Sequence, residues 1–88
     1  MFYVYILFSL KDKNFYVGVT DDLRRRKDEH DNGKVDSTRF RRPLKLICYE
    51  CYLTKIEALR LEKYLKNSDG RKELRIRLSI TLNKLIIF

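Results

Sequence analysis

Two cysteines and one histidine are all the soft metal ligands in this 88-residue chain. That is too few for a tetrahedral zinc site. Cys48 and Cys51 have a Cys-x-x-Cys spacing, but they lie in a strand-like segment, Leu44 to Leu53. Residues three apart in a strand face opposite sides, so both read as free thiols, buried or half-buried. One proline and three glycines leave no linker-like stretch, and there is no internal repeat or low-complexity tract. The apolar opening, Phe2 to Phe8, is too short to span a bilayer. It also lacks the basic start and small-residue ending of a secretion signal. No segment joins a strong apolar face to a lysine-rich one, which disfavours a membrane surface as partner. A cytoplasmic protein with one domain, residues 1–88, and one small core is expected.

Positive charge is what the chain has in excess. Twenty Lys and Arg oppose twelve Asp and Glu, for a net charge of +8 and a pI near 9.7. Such a balance suits a polyanion. The charge is also clustered, at Arg24 to Lys27 and again at Arg39 to Arg42. A basic protein with no anionic partner has no reason to group it so. Nucleic acid is the partner expected, DNA first, with RNA left open.

The apolar pattern starts with two period-two runs. Phe2, Val4, Ile6 and Phe8 alternate with Tyr3, Tyr5, Leu7 and Ser9. Phe15, Val17 and Val19 alternate with Tyr16, Gly18 and Thr20. Each run predicts a strand with one buried face. A hairpin through Lys11 to Asn14, with an even turn, sets Tyr5 and Tyr16 side by side; a one-residue slip separates them. Thr20 or Asp21 is expected to cap a helix carrying Leu23, Arg26, Lys27 and His30 on one side, which Asn32-Gly33 ends. A third strand, Leu44 to Leu53, alternates less cleanly and is expected between the hairpin and the helices. Thr54 and Glu57 form a capping box for a helix with Ala58, Leu61, Glu62 and Leu65 on one face. Ser68-Asp69-Gly70 then breaks it, and a last helix runs from about Arg71 to Asn83. The apolar tail, Leu85 to Phe88, either docks on the core or serves self-association or a protein partner. The fold class expected is α/β, a three-stranded antiparallel sheet flanked by about three helices.

Glu62 stands out because an unpaired carboxylate on an apolar stripe is costly, unless it pairs with Lys66 one turn on. The tyrosines also have a plain reading, since strands are rich in them. Their surroundings are more specific. Tyr3-Val4-Tyr5 and Tyr16-Val17-Gly18, followed by Gly18 to Arg26, His30 and Asn32-Gly33, resemble the GIY-YIG nuclease family. So do Ser37-Thr38-Arg39, Arg41-Arg42-Pro43, Glu57-Ala58 and Glu62-Lys63. The set is similar to small stand-alone bacterial members and to the N-terminal nuclease region of the repair excinuclease. It covers roughly residues 2 to 71.

The resemblance implies an endonuclease, structure-directed or weakly sequence-specific, in DNA repair or recombination, using one Mg2+ or Mn2+. Tyr5, Tyr16, Arg26, His30 and Glu62 are then the catalytic set, with Glu62 on the metal. Tyr16 or Tyr5, or a metal-bound hydroxide, would activate water; Arg26, ten residues after Tyr16, would neutralise the phosphorane. Gly18 would leave room beside Tyr16 for a phosphate. Arg25, Lys27, Ser37, Thr38, Arg39, Arg41 and Arg42 would touch the nucleic-acid backbone. Two departures stand out: Leu74 takes the place of the family's asparagine, and Val19 that of the excinuclease lysine. No DNA-targeting segment is evident, so sequence-specific cutting by this chain alone is not expected. The rival reading is a non-catalytic nucleic-acid-binding module on the same fold.

Overall fold

A computed structural model describes residues 1–86. The order is β1 (Phe2–Ser9), β2 (Phe15–Thr20), α1 (Leu23–Asp31), β3 (Leu44–Tyr52), α2 (Lys55–Leu65), α3 (Ser68–Arg77) and α4 (Ser79–Ile86). The three strands form one antiparallel sheet in the order β2-β1-β3. That is the fold class expected, with four helices. None of the described helices is long and apolar enough to cross a membrane.

β1 is the central strand, and this corrects the expectation of one buried face. Val4, Ile6 and Phe8 meet Phe15 and Val17, and Ala58, Leu65, Leu74 and Leu82 of the three later helices. Tyr5 and Leu7 pack on the other side with Leu44, Tyr16, Leu23 and Leu46. Helix α1 covers that second face, with Leu23 in the cluster. The sheet is therefore a layer between α1 and the α2–α4 group.

The less regular β3 has a local cause. Leu46 pairs with Leu7 and Cys48 with Ile6, so Ile47 is an extra residue and forms a bulge. One extra residue reverses which face the even-numbered side chains occupy. Leu44 and Leu46 lie on the α1 side, whereas Ile47 and Cys48 pack against the α2–α4 core. Cys51, opposite Tyr3, is exposed, and both cysteines are free.

Three boundaries differ from expectation. Asp22, rather than Thr20 or Asp21, caps α1 by accepting from Arg25 N at 3.1 Å. Ser68-Asp69-Gly70 starts a helix instead of only ending one, because Asn67 Oδ1 accepts from Gly70 N at 2.8 Å. The long last helix is two helices, separated at Leu78. In the tail, Leu85 packs against the core and Ile86 is exposed, whereas Ile87 and Phe88 lie outside the described residues.

Candidate active site

The hairpin register decides the site. Tyr5 pairs with Gly18 and Leu7 with Tyr16, so both tyrosines stand on the α1 face as diagonal neighbours. Their ring centroids are 6.2 Å apart. A Cβ on Gly18 would overlap the Tyr5 ring and hydroxyl. The space that glycine provides is thus filled by Tyr5, which corrects the expectation of an opening for a phosphate.

Helix α1 brings its inward side chains to these rings. Arg26 Nε donates to Tyr5 Oη at 3.4 Å, and its Nη1 donates to Glu29 Oε1 at 3.1 Å. One turn later His30 is fully buried, with Nε2 2.9 Å from Tyr5 Oη and Nδ1 2.7 Å from Thr38 Oγ1. The imidazole also sits edge-on to the Tyr16 ring, 5.0 Å between centroids. Tyr5 is 2% exposed and Tyr16 is half-buried. The Tyr16 hydroxyl lies close enough to Tyr5 to add to burial in raising the Tyr5 phenol, by charge and by a weak hydrogen bond.

Burial sets the charge states. It pushes the Tyr5 phenol up to about 12, against the Arg26 hydrogen bond, which pulls it down. Burial likewise pushes His30 down to about 4, with the Arg26 charge acting the same way. The Tyr5 contact in turn holds Arg26 above its usual range, and Arg26 holds Glu29 below its own. At neutral pH the group is a phenol, a neutral imidazole and a guanidinium, with Tyr16 at its open side.

Glu62, the expected metal ligand, belongs to a different element. It lies on α2, in the other layer, where its carboxylate pairs with Lys66 Nζ at 3.3 Å. It makes no hydrogen bond to Tyr5, Tyr16, Arg26 or His30. Among the described residues no three His, Cys, Asp or Glu gather into a metal cage. A single carboxylate nonetheless fits Mg2+, which keeps several waters and takes further oxygens from substrate phosphates. Its exposed partner Lys66 holds it only weakly.

The residues expected on the nucleic-acid backbone divide. Thr38 is fully buried with its hydroxyl on His30, so the expected phosphate contact is corrected to an interior one. Arg41 is bound to Asp12 Oδ2 and donates to the Phe15 carbonyl, which ties it to the hairpin turn. Arg42 donates to the carbonyls of Arg39 and Asp31 and stacks against Gly33, whose φ is 72°. Arg25 bridges Asp21 and Glu29, and Lys27 pairs with Asp31, both partly open to solvent. Ser37 and Arg39 are exposed, and Arg39 covers the exposed Phe40 ring. A groove of about 290 Å³ at the β2 edge gathers Arg25 and Arg26 from α1, Asp21, and Lys55 from the start of α2. Sequence reading missed Lys55, because thirty residues separate it from Arg25. It also missed Glu29, although the i to i+3 spacing from Arg26 was available.

The profile of the GIY-YIG catalytic domain matches residues 1–75. The chain belongs to the GIY-YIG family. That family is a nuclease superfamily, and several UPF0213 proteins are similar to this chain in sequence. The chain is 41% identical over 64 residues to the UPF0213 protein YazA of Bacillus subtilis, covering 72% of this chain and 65% of YazA. It is 36% identical over 75 residues to the UPF0213 protein SSP2268 of Staphylococcus saprophyticus, covering 84% and 90%. The solution NMR structure of the UPF0213 protein BH0048 from Bacillus halodurans superposes with a TM-score of 0.54 at 40% identity. That match covers 89% of this chain and 85% of the other. Leu74, which the resemblance sets where many relatives carry asparagine, is a core residue. Asn67 is occupied in capping α3, and Asn83 is exposed on α4.

Proposed function

We propose that this protein is a metal-dependent endonuclease that hydrolyses DNA phosphodiester bonds, structure-directed or weakly sequence-specific, in repair or recombination. The observation that carries this reading is the bonded group of Arg26, Tyr5 and His30 beneath the half-buried Tyr16. Arg26 offers a permanently charged fork where a phosphorane would develop negative charge. Its anchoring by Tyr5 and Glu29 fixes that fork before substrate arrives.

The two tyrosines sort into different roles. Tyr5, held near pKa 12, works as a phenol that donates a hydrogen bond. Tyr16, half-buried beside it, would in its deprotonated form take the proton of the attacking water. The Arg26 guanidinium, which interacts with Tyr16 by charge, would supply the positive charge that a phenolate needs. Neutral His30 holds Tyr5 in place. Glu62 would hold Mg2+ or Mn2+, and such an ion supplies stabilisation of charge on the leaving oxygen. Arg25, Lys27, Ser37, Arg39 and Lys55 would position backbone phosphates without reading bases.

One observation favours the rival, a binding module: Leu74 fills the core where an asparagine supports catalysis in many relatives. Cleavage of labelled duplex, single-strand, flap, splayed-arm and four-way-junction DNA separates the two. The nuclease reading expects Mg2+- or Mn2+-dependent nicking that EDTA stops and Glu62→Ala abolishes with binding kept. Tight, salt-sensitive binding without cutting under any metal establishes the module instead.

A further inference from the structure

We propose that Thr38 is a positioning residue that fixes His30 as its Nε2–H tautomer and so turns the Tyr5 hydroxyl toward Tyr16. Its catalytic consequence rests on the nuclease reading; the tautomer itself does not.

The direction follows from where each proton can go. Thr38 is fully buried, and a buried hydroxyl proton requires an acceptor. Among the described residues its side chain makes one hydrogen bond, to His30 Nδ1 at 2.7 Å. Nor does it cap the short helical turn that follows, Arg39–Arg41. The hydroxyl therefore donates to Nδ1. A ring nitrogen that accepts carries no proton, so a neutral imidazole in this site bears its hydrogen on Nε2.

That nitrogen lies 2.9 Å from Tyr5 Oη and donates to it. Arg26 Nε donates to the same oxygen at 3.4 Å. With both acceptor directions of the phenol occupied, its own proton is left to Tyr16, the remaining hydrogen-bond neighbour of Tyr5. The opposite tautomer would accept a hydrogen bond from the Tyr5 hydroxyl at Nε2 and leave the buried Thr38 proton with no acceptor. The donors thus run one way, from Thr38 to His30 to Tyr5 and on toward Tyr16. In that direction His30 is not a base for Tyr5. The chain instead favours negative charge on the last oxygen, the hydroxyl proposed to take the water proton. Facing His30 are Tyr5 and Tyr16 from the sheet, Thr38 from the loop, and Arg26, Lys27, Glu29 and Asp31 from its own helix. Burial and the arginine dominate that balance and keep the imidazole neutral at working pH.

His30 is the only histidine, so ring-15N histidine labelling of the full chain yields one unambiguous imidazole spectrum. At pH 7 the expected result is an unprotonated Nδ1 and a protonated Nε2; the reverse assignment overturns the proposal. Thr38→Val is expected to shift the population toward the other tautomer, and Thr38→Ser to preserve it. In single-turnover cleavage Thr38→Val is expected to fall by roughly tenfold or more at unchanged Kd, with Thr38→Ser restoring most of the rate. A Thr38→Val protein that cuts as fast as wild type overturns the positioning role. Should wild type cut nothing, the nuclease reading fails, while the wild-type spectrum still decides the tautomer. Thermal melts of all three proteins separate these effects from loss of fold.

Discussion

At Gly18 and His30 the site depends on single atoms. A methyl group on Gly18 has nowhere to go, because the Tyr5 ring covers it and is held by His30 and Arg26. Gly18→Ala is expected to cost about 1–3 kcal/mol of stability through overpacking, read by urea denaturation, and to displace Tyr5. His30 gives a pH signature. Its folded pKa of about 4 lies below the usual 6.5, so between these values the unfolded chain binds the extra proton. Stability from this group is complete above about pH 6.5 and is lost as pH falls toward 4, by up to about 3 kcal/mol. Comparing wild type with His30→Gln across that range is expected to show the additional loss only in wild type. Periodicity set Tyr5 beside Tyr16 on one strand face and Arg26 with His30 on one helix side, and the resemblance to the nuclease family joined the two pairs. The role of Thr38 was not legible in the sequence. Between exposed Ser37 and Arg39 it looks like another surface contact, and only the fold of the loop turns it inward.

Among the elements, β1, β2, the extent of β3 and helix α2 could be read from period and caps, whereas the facing of β3, the cap of α1 and the last helices could not. The Ile47 bulge shifts parity midway, so no single alternation describes that strand. The region 68–70 looks like a helix breaker by composition, yet tertiary contact makes it a helix start. A Cβ on Gly70 would overlap the backbone of Tyr64 and Leu65, so here glycine permits close approach of α2 and α3. Gly70→Ala is therefore expected to destabilise by roughly 1–3 kcal/mol, although alanine is the better helix former. Asn67→Ala removes the α3 cap and is expected to cost about 1 kcal/mol. Denaturant melts of both variants, with circular dichroism, check these values.

For the whole molecule, net charge pointed to a polyanion, but the surface use of that charge came from the structure. Arg41 is committed to the hairpin turn and Arg42 to carbonyls of Arg39 and Asp31, whereas Lys55 joins Arg25 and Arg26 across the β2 edge. Lys55→Ala is expected to weaken DNA binding and to reduce the slope of log affinity against log salt by about 1, without changing stability. Arg41→Ala is expected to do the reverse, lowering stability by about 1 kcal/mol and leaving that slope unchanged. The most direct test of the central claim is single-turnover cleavage of a labelled branched DNA with Mg2+, comparing wild type with Tyr16→Phe at equal occupancy. Phosphodiester cleavage by wild type and its loss in Tyr16→Phe, with Kd unchanged, is the result this account predicts. Equal rates for the two proteins, or no cleavage despite full binding, would contradict it.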